Sequence, residues 1–281
     1  MAQLIKPQIK WTEEKIALLK QEYPLGNKQE LAKKLGIKYK TLKSAATNFG
    51  VKSLQDKNFY KLKVLFEDSL LSYYWMGFIM ADGQIDNKGQ LKLVLSIKDS
   101  GHLEKLANYL KIKTNTYKIK TQFSTAREYC RLNCQDAKYG KLLLDKFGLY
   151  GKPKTYFPPT KLDFTDRFFL AFLIGYIDGD GTFSKGDKIN CDFIRIELHA
   201  AWLKILESFE HQLNKLGAIN TKSGLNNRGF SYLKIYKHQN LIWLKSFAIK
   251  NNLPILERKW DSINLDRRLK RHVPNNILSD I

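Results

Sequence analysis

Trp75-Met76-Gly77-Phe78-Ile79-Met80-Ala81-Asp82-Gly83 is answered 98 residues later by Leu173-Ile174-Gly175-Tyr176-Ile177-Asp178-Gly179-Asp180-Gly181. Both stretches read as apolar helices that end in an acid and a glycine. Gly77 with Ala81, and Gly175 with Gly179, put small residues four apart on one face, so two such helices can meet backbone to backbone. An apolar helix with that face calls for a twin. Side-by-side packing would bring Asp82 and Asp180 together at the C-terminal ends. Two carboxylates beside the negative ends of two helix dipoles are costly unless a cation lies between them, and hard oxygen donors favour Mg2+ or a similar divalent ion. Acids are disfavoured at that end of a helix, so finding the placement twice argues against two ordinary core helices. Gly83 and Gly181 read as left-handed helix exits.

The regions downstream of the two stretches also match. In the first, Leu91, Leu93, Leu95 and Ile97 alternate as a strand, followed by an amphipathic helix from His102 to Leu110. In the second, Ile194, Ile196 and Leu198 alternate, followed by a helix from Trp202 to Leu216. Further strand-like runs lie at 116–123, 129–134 and 230–236, and each copy closes with a helix, at 137–147 and 239–251. The order helix, two strands, helix, two strands, helix therefore occurs twice. The expected class is α+β: two pseudo-symmetric αββαββα repeats at 69–150 and 165–265, joined by a Gly- and Pro-containing connector at 151–164. A basic tail, Arg267-Arg268-Leu269-Lys270-Arg271, falls within 266–281.

Ahead of the repeats, Thr12 is placed to N-cap a helix with Glu13 and Glu14 in its first turn. Asn27-Lys28-Gln29-Glu30 has capping-box spacing, and a third helix begins near Lys40. Residues 1–52 therefore resemble a small all-α helix-turn-helix module, whose third helix would offer Lys40, Lys43, Ser44 and Thr47 to DNA. A three-helix protein-interaction module is the alternative. Residues 53–68 read as a linker.

The chain has 281 residues, 48 Lys and Arg against 27 Asp and Glu, and a net charge of +21. With 43% hydrophobic residues it is too apolar for a disordered basic tail, and three Cys do not make a disulfide scaffold. The five His show no HExxH or zinc-finger spacing. No apolar run reaches the roughly 18 residues of a membrane span, and Met1–Lys10 has no signal-peptide core, so the reading is a soluble, intracellular protein. The charge is spread along the chain, +7 over residues 1–68 and +14 over 69–281, as a long nucleic-acid footprint requires and a single membrane anchor does not.

Strand alternation assigns the outward face of each sheet. Burying Leu91, Leu93 and Leu95 turns out Lys92 and Ser96. Burying Tyr117 and Ile119 turns out Lys118, Lys120 and Gln122, and burying Cys130 and Leu132 turns out Tyr129, Arg131 and Asn133. The second repeat turns out Arg195, Glu197, His199, Tyr232 and Lys234, with Arg228 in the preceding turn. Cations among amides and tyrosines suit a DNA groove.

The two nine-residue stretches, with their matched downstream pattern over about 69–265, resemble the signature of the LAGLIDADG homing endonucleases in their single-chain, two-repeat form. The second copy is close to the consensus. The first departs at Trp75 and Met76, and at Met80 where an Asp is usual. The resemblance implies a saddle over duplex DNA, with Asp82 and Asp180 holding Mg2+ (Mn2+ or Ca2+ as substitutes) together with the backbone of Ala81 and Gly181. It further implies Lys98 and Lys237 as basic catalytic residues, His199 as a candidate counterpart to Lys98, cleavage of both strands at one long site, and a monomer. The alternatives are an RNA-binding intron maturase and a DNA-binding regulator of the same fold without cleavage.

Overall fold

The computed structural model describes residues 11–24, 28–51, 61–121, 124–149, 156–160, 162, 164–185 and 191–263. The chain divides into two compact units, 1–59 and 60–281.

The first unit has three helices: α1 (Glu13–Glu22), α2 (Lys28–Lys34) and α3 (Tyr39–Asn48). Thr12 caps α1 as expected, its hydroxyl accepting from the Lys15 amide at 3.4 Å. Asn27, the first residue of the expected capping box, lies outside the described residues. Leu19, Leu31, Leu35, Leu42, Ala45 and Ala46 form a core of their own, and Trp11 packs edge-on against Phe49.

In the second unit the repeat pattern is present in full. Repeat one runs α4 (Leu70–Asp82), β1 (Gln84–Ile85), β2 (Gln90–Ser96), α5 (Ser100–Tyr109), β3 (Thr114–Thr121), β4 (Ser124–Gln135) and α6 (Ala137–Lys146). Repeat two runs α7 (Asp166–Asp180), β5 (Gly181–Lys185), β6 (Cys191–Leu198), α8 (Leu203–Lys215), β7 (Thr221–Leu225), β8 (Ser231–Tyr236) and α9 (His238–Lys250). The short helix α10 (Glu257–Trp260) follows. The sheets share one antiparallel topology, β1-β2-β4-β3 and β5-β6-β8-β7.

The pairing of α4 with α7 organises this unit. Both helices are buried along most of their length, and all of Phe169 to Asp178 is inaccessible. A Cβ on Gly77 would fall on the Phe172 carbonyl oxygen, and one on Gly175 on the Tyr74 carbonyl oxygen, so the glycines set the separation of the backbones. Gly83 and Gly181 are not left-handed exits: φ is −78° and −73°, with extended ψ. What they require is space, because a Cβ at either would meet the carbonyl four residues back, at Ile79 or Ile177.

The expected linker ends early. Residues 61–66 form a 3-10 helix whose Leu62 and Leu65 are fully buried beneath repeat one, where the Leu62 amide donates to Asp136 Oδ2 at 2.9 Å. The apolar Leu62, Val64, Leu65 and Phe66 outweigh the interleaved lysines. The basic residues 267–271 lie outside the described residues.

Candidate active site and nucleic-acid face

Asp82 and Asp180 are the last residues of α4 and α7, and the crossing of these helices brings them to one place. A Cβ on Gly179 would stand 3.2 Å from Asp82 Oδ2, so the carboxylate of one repeat lies against the helix end of the other. Asp82 is exposed and Asp180 half-buried. Beneath them the buried Tyr176 hydroxyl bonds to Asp180. Its ionisation is pushed well upward by burial, then by Asp180, and then by the charge of Asp82. Two carboxylates and helix-terminal carbonyls are a hard-oxygen donor set of the kind that suits Mg2+.

Two residues before Asp180, Asp178 is wholly buried and bonded on both oxygens. Oδ2 accepts from the Tyr74 hydroxyl at 2.5 Å and the Leu256 amide at 3.0 Å, and Oδ1 accepts from Trp260 Nε1 at 2.5 Å. Burial raises this carboxyl to about 6, against the pull of those three donors and of Lys259. The Tyr74 hydroxyl also meets His102 Nε2 at 3.2 Å. Burial, reinforced by Lys105, lowers His102 to about 3, and its buried Nδ1 has no hydrogen-bond partner among the described residues. The equivalent of Asp178 in repeat one is the buried Met80, which offers no carboxylate for a matching network.

The segment after α9 supplies groups that sequence reasoning missed. Lys259 Nζ donates to the carbonyls of Ile177 (3.1 Å), Asp178 (2.7 Å), Gly179 (2.9 Å) and Gly181 (2.8 Å). Its pKa is lowered by burial, against the opposing pull of Asp178 and Asp82. Arg258 grips Asp99 of repeat one through Nε at 2.5 Å and Nη2 at 2.7 Å. The carbonyl of Gly181, expected as a backbone metal ligand, accepts from the Lys259 ammonium group at 2.8 Å. The one signal in the sequence was a buried-type aromatic, Trp260, in the charged run Glu257-Arg258-Lys259.

Lys98 stands exposed in a 3-10 turn after β2, and Lys237 is exposed at the start of α9 with φ of +69°. His199 is past the end of β6, not on the strand face. Its Nδ1 accepts from the Ala201 amide at 3.3 Å, and its ring meets Tyr156 edge-on.

Register settles the outward faces. In repeat one Lys92 pairs with Asn133, Val94 with Arg131, Ser96 with Tyr129 and Tyr117 with Tyr129, so these residues share the face away from the helices. The phase expected for β3 is therefore corrected. Tyr117 is outward, stacked on Tyr129 beneath Arg131, while Lys118 lies on the other face, paired with Glu128 at 2.6 Å. The cause is the pairing of Thr116 with the buried Cys130. Gln122 and the Lys120 side chain lie outside the described residues. In repeat two Arg195 pairs with Lys234 and Glu197 with Tyr232, as expected. Arg195 is ion-paired with Glu197, which also accepts from Asn226 Nδ2 at 2.9 Å. Lys234 lies over the rings of Phe193, Tyr232 and Tyr236. Arg195, Glu197, Arg228, Tyr232 and Lys234 border an open depression. The matching place in repeat one is bordered by Lys92, Arg131 and Asn133.

In the N-terminal unit Lys40, Lys43, Ser44 and Thr47 all lie exposed on α3. The two hydroxyls bond back to the carbonyls of Lys40 and Lys43, at 3.3 and 3.1 Å.

A mixed α+β protein of two pseudo-symmetric repeats, paired through acid-ended helices, is the class these features define. Residues 168–246 match the model of the LAGLIDADG-like domain. Among solved structures the chain is similar to the homing endonuclease I-WcaI bound to its DNA recognition sequence, at 15% identity over 76% of this chain and 94% of that one, with a TM-score of 0.51. It is also similar to the meganuclease I-SmaMI bound to uncleavable DNA (16%, 74% and 94%, 0.46) and to the N-terminal LAGLIDADG domain of DUF199/WhiA (16%, 75% and 91%, 0.42). No curated protein matches the sequence. Residues 168–246 are thus similar to a LAGLIDADG-like domain, and the two-repeat unit has the LAGLIDADG fold.

Proposed function

We propose that the chain is a site-specific endonuclease that hydrolyses both strands of duplex DNA. The observation that carries this reading is the meeting of Asp82 and Asp180, one from each repeat, at the ends of the paired helices. Similarity of fold to I-WcaI supports it. Asp82 and Asp180, with the Ala81 carbonyl, would hold Mg2+, which when bound supplies an activated water and neutralises the leaving oxygen. The outward strand faces would lie along the duplex. Lys92, Arg131, Arg195, Arg228 and Lys234 would neutralise phosphates or reach base edges, and Asn133, Ser96, Glu197, Tyr129 and Tyr232 would complete the readout. Lys98 and Lys237 are the basic groups proposed to approach the scissile phosphates. The three-helix unit would add a tethered contact through α3, which raises affinity by effective concentration.

The test is incubation of the full chain with a randomised duplex library and Mg2+, followed by sequencing of the cut ends. Enrichment of one long site supports the reading. Binding without any cut product in Mg2+ or Mn2+ would remove the nuclease function.

A further inference from the structure

The outward faces of the two sheets part company at one matched position. Gln84 and Thr182 each stand two residues after a motif acid, and each pairs with a cation on the next strand, Gln84 with Lys92 and Thr182 with Arg195. Two residues further along the same face stand Val94 in repeat one and Glu197 in repeat two, both exposed. Glu197 is an acid among cations, on a face proposed to lie along phosphates, where its charge opposes binding. Its ion pair with Arg195 is about one-third exposed on both sides, and such pairs add little stability. Neither affinity nor folding therefore accounts for the acid. Its geometry is that of a fixed acceptor. Oε2 is held by Arg195 and by Asn226 Nδ2, the latter at 2.9 Å. Asn226 is itself locked into its turn, since its Oδ1 accepts from the amides of Arg228 at 2.9 Å and Phe230 at 3.0 Å. Oε1 accepts no hydrogen bond among the described residues.

The major groove admits a two-stranded ribbon, and its base edges differ in what they offer such groups. Cytosine presents an amine alone, adenine sets the N7 acceptor beside its amine, guanine presents acceptors, and thymine an acceptor and a methyl group. A fixed carboxylate therefore selects cytosine, whereas an exposed aliphatic side chain selects the thymine methyl. We infer that Glu197 and Val94 are specificity-determining residues at one pseudo-equivalent position, selecting cytosine in one half of the duplex target and thymine in the other. The backbone is twofold there and the chemistry is not, so the target departs from a palindrome at that position. This rests on the reading that the outward strand faces lie on duplex DNA, and it does not depend on cleavage.

The test recovers bound duplexes from a randomised library in EDTA, where nothing is cut, using the full chain as wild type, Glu197→Val, Glu197→Gln and Val94→Glu. The wild-type profile should hold cytosine at one position and thymine at its counterpart in the other half. Glu197→Val should convert the cytosine to thymine and Glu197→Gln to adenine, and Val94→Glu should convert the thymine to cytosine. Each preference should be at least about fivefold, with the rest of the profile unchanged. Should Glu197→Val fail to fold, the nearly isosteric Glu197→Gln and the independent Val94→Glu decide the matter. A uniform gain in affinity from Glu197→Gln with an unchanged base profile would overturn the inference, leaving Glu197 as a partner of Arg195 alone, while the DNA reading stands. If the wild-type chain enriches no sequence, the site-specific reading and the inference fall together.

Discussion

Gly175 packs against the main chain of Tyr74 so closely that a methyl group on it would occupy the Tyr74 carbonyl oxygen, and Gly77 stands in the same relation to Phe172. The obstacle on each side is backbone in the middle of a buried helix, which cannot swing aside as a side chain can. Gly175→Ala must push the helices apart along the seam that holds the repeats together. Overpacking of this kind costs about 1–3 kcal/mol, and a backbone clash belongs at the top of that range. Urea unfolding should show the midpoint of the larger unit lowered accordingly. Gly101→Ala is the control, since nothing lies within 4 Å of a Cβ there. Equal midpoints for the two variants would refute the account of the seam.

The two acids should be separable from DNA affinity. Asp82 is exposed and Asp180 half-buried, so an amide at either position leaves the core intact. In the proposed enzyme, Asp82→Asn or Asp180→Asn removes a metal-holding oxygen and should reduce cleavage by about a thousandfold or more, with DNA binding within about threefold of wild type. Cleavage of the selected duplex at the wild-type rate by either variant would exclude that carboxylate from the chemistry.

How much of this was legible in the sequence depends on where the information was redundant. The paired helices were legible because apolar stretch, small-residue spacing and terminal acid occur twice, and each copy checks the other. The alternation of β2 and β6 was legible because one phase buries three aliphatic residues. In β3 the phase was not legible: Thr114-Asn115-Thr116-Tyr117-Lys118-Ile119 offers a plausible inner row either way, and only the pairing of Thr116 with Cys130 decides it. β7, with the Gly224-Leu225 pair and little apolar content, shows no alternation at all. The role of Gly83 and Gly181 was misread because a helix-terminal glycine answers equally to backbone angle and to space. Lys259 and the Asp178 network were hidden for another reason. They are long-range contacts between a motif helix and a short charged segment that has no periodicity of its own.

Acid stability should carry the signature of the buried His102–Tyr74–Asp178 chain. His102 is lowered to about 3 from an ordinary 6.5, so its contribution is fully present above 6.5 and is lost as pH falls toward 3, because the unfolded chain takes the proton first. Asp178 is raised to about 6 from 3.8, so its contribution is full below 3.8 and is lost as pH rises through 6. Between about 6 and 3.8 the two slopes oppose each other, each at most about 1.4 kcal/mol per pH unit. His102→Gln leaves the Asp178 slope uncompensated. Measured by urea unfolding at stepped pH, its stability relative to wild type should improve steadily from about pH 6.5 down to about pH 4. Parallel profiles for the two proteins would show that His102 does not titrate as its burial demands.

The N-terminal unit has its own core and its own exposed basic helix face, so its removal should leave the larger unit folded. A chain beginning at Tyr60 is expected to keep its unfolding midpoint and to bind the selected duplex about tenfold or more weakly. A shorter protected footprint would place α3 on DNA. Unchanged affinity and footprint would assign the unit to another partner.

The corrected phase of β3 separates two lysines that look alike in sequence. Lys92 is exposed on the outward face across from Asn133, whereas Lys118 is on the opposite face, held by Glu128. If the outward face lies on the duplex, Lys92→Ala removes one phosphate contact, and the slope of log K against log salt should shrink by about 0.9. Lys118→Ala removes none and should leave both affinity and slope unchanged. Each substitution changes the net charge by the same amount, so a general loss of positive charge predicts equal effects from the two. Equal effects in a salt titration would therefore remove the strand face as the contact surface, and a loss confined to Lys92→Ala would locate DNA on the face that carries Tyr117, Tyr129 and Arg131.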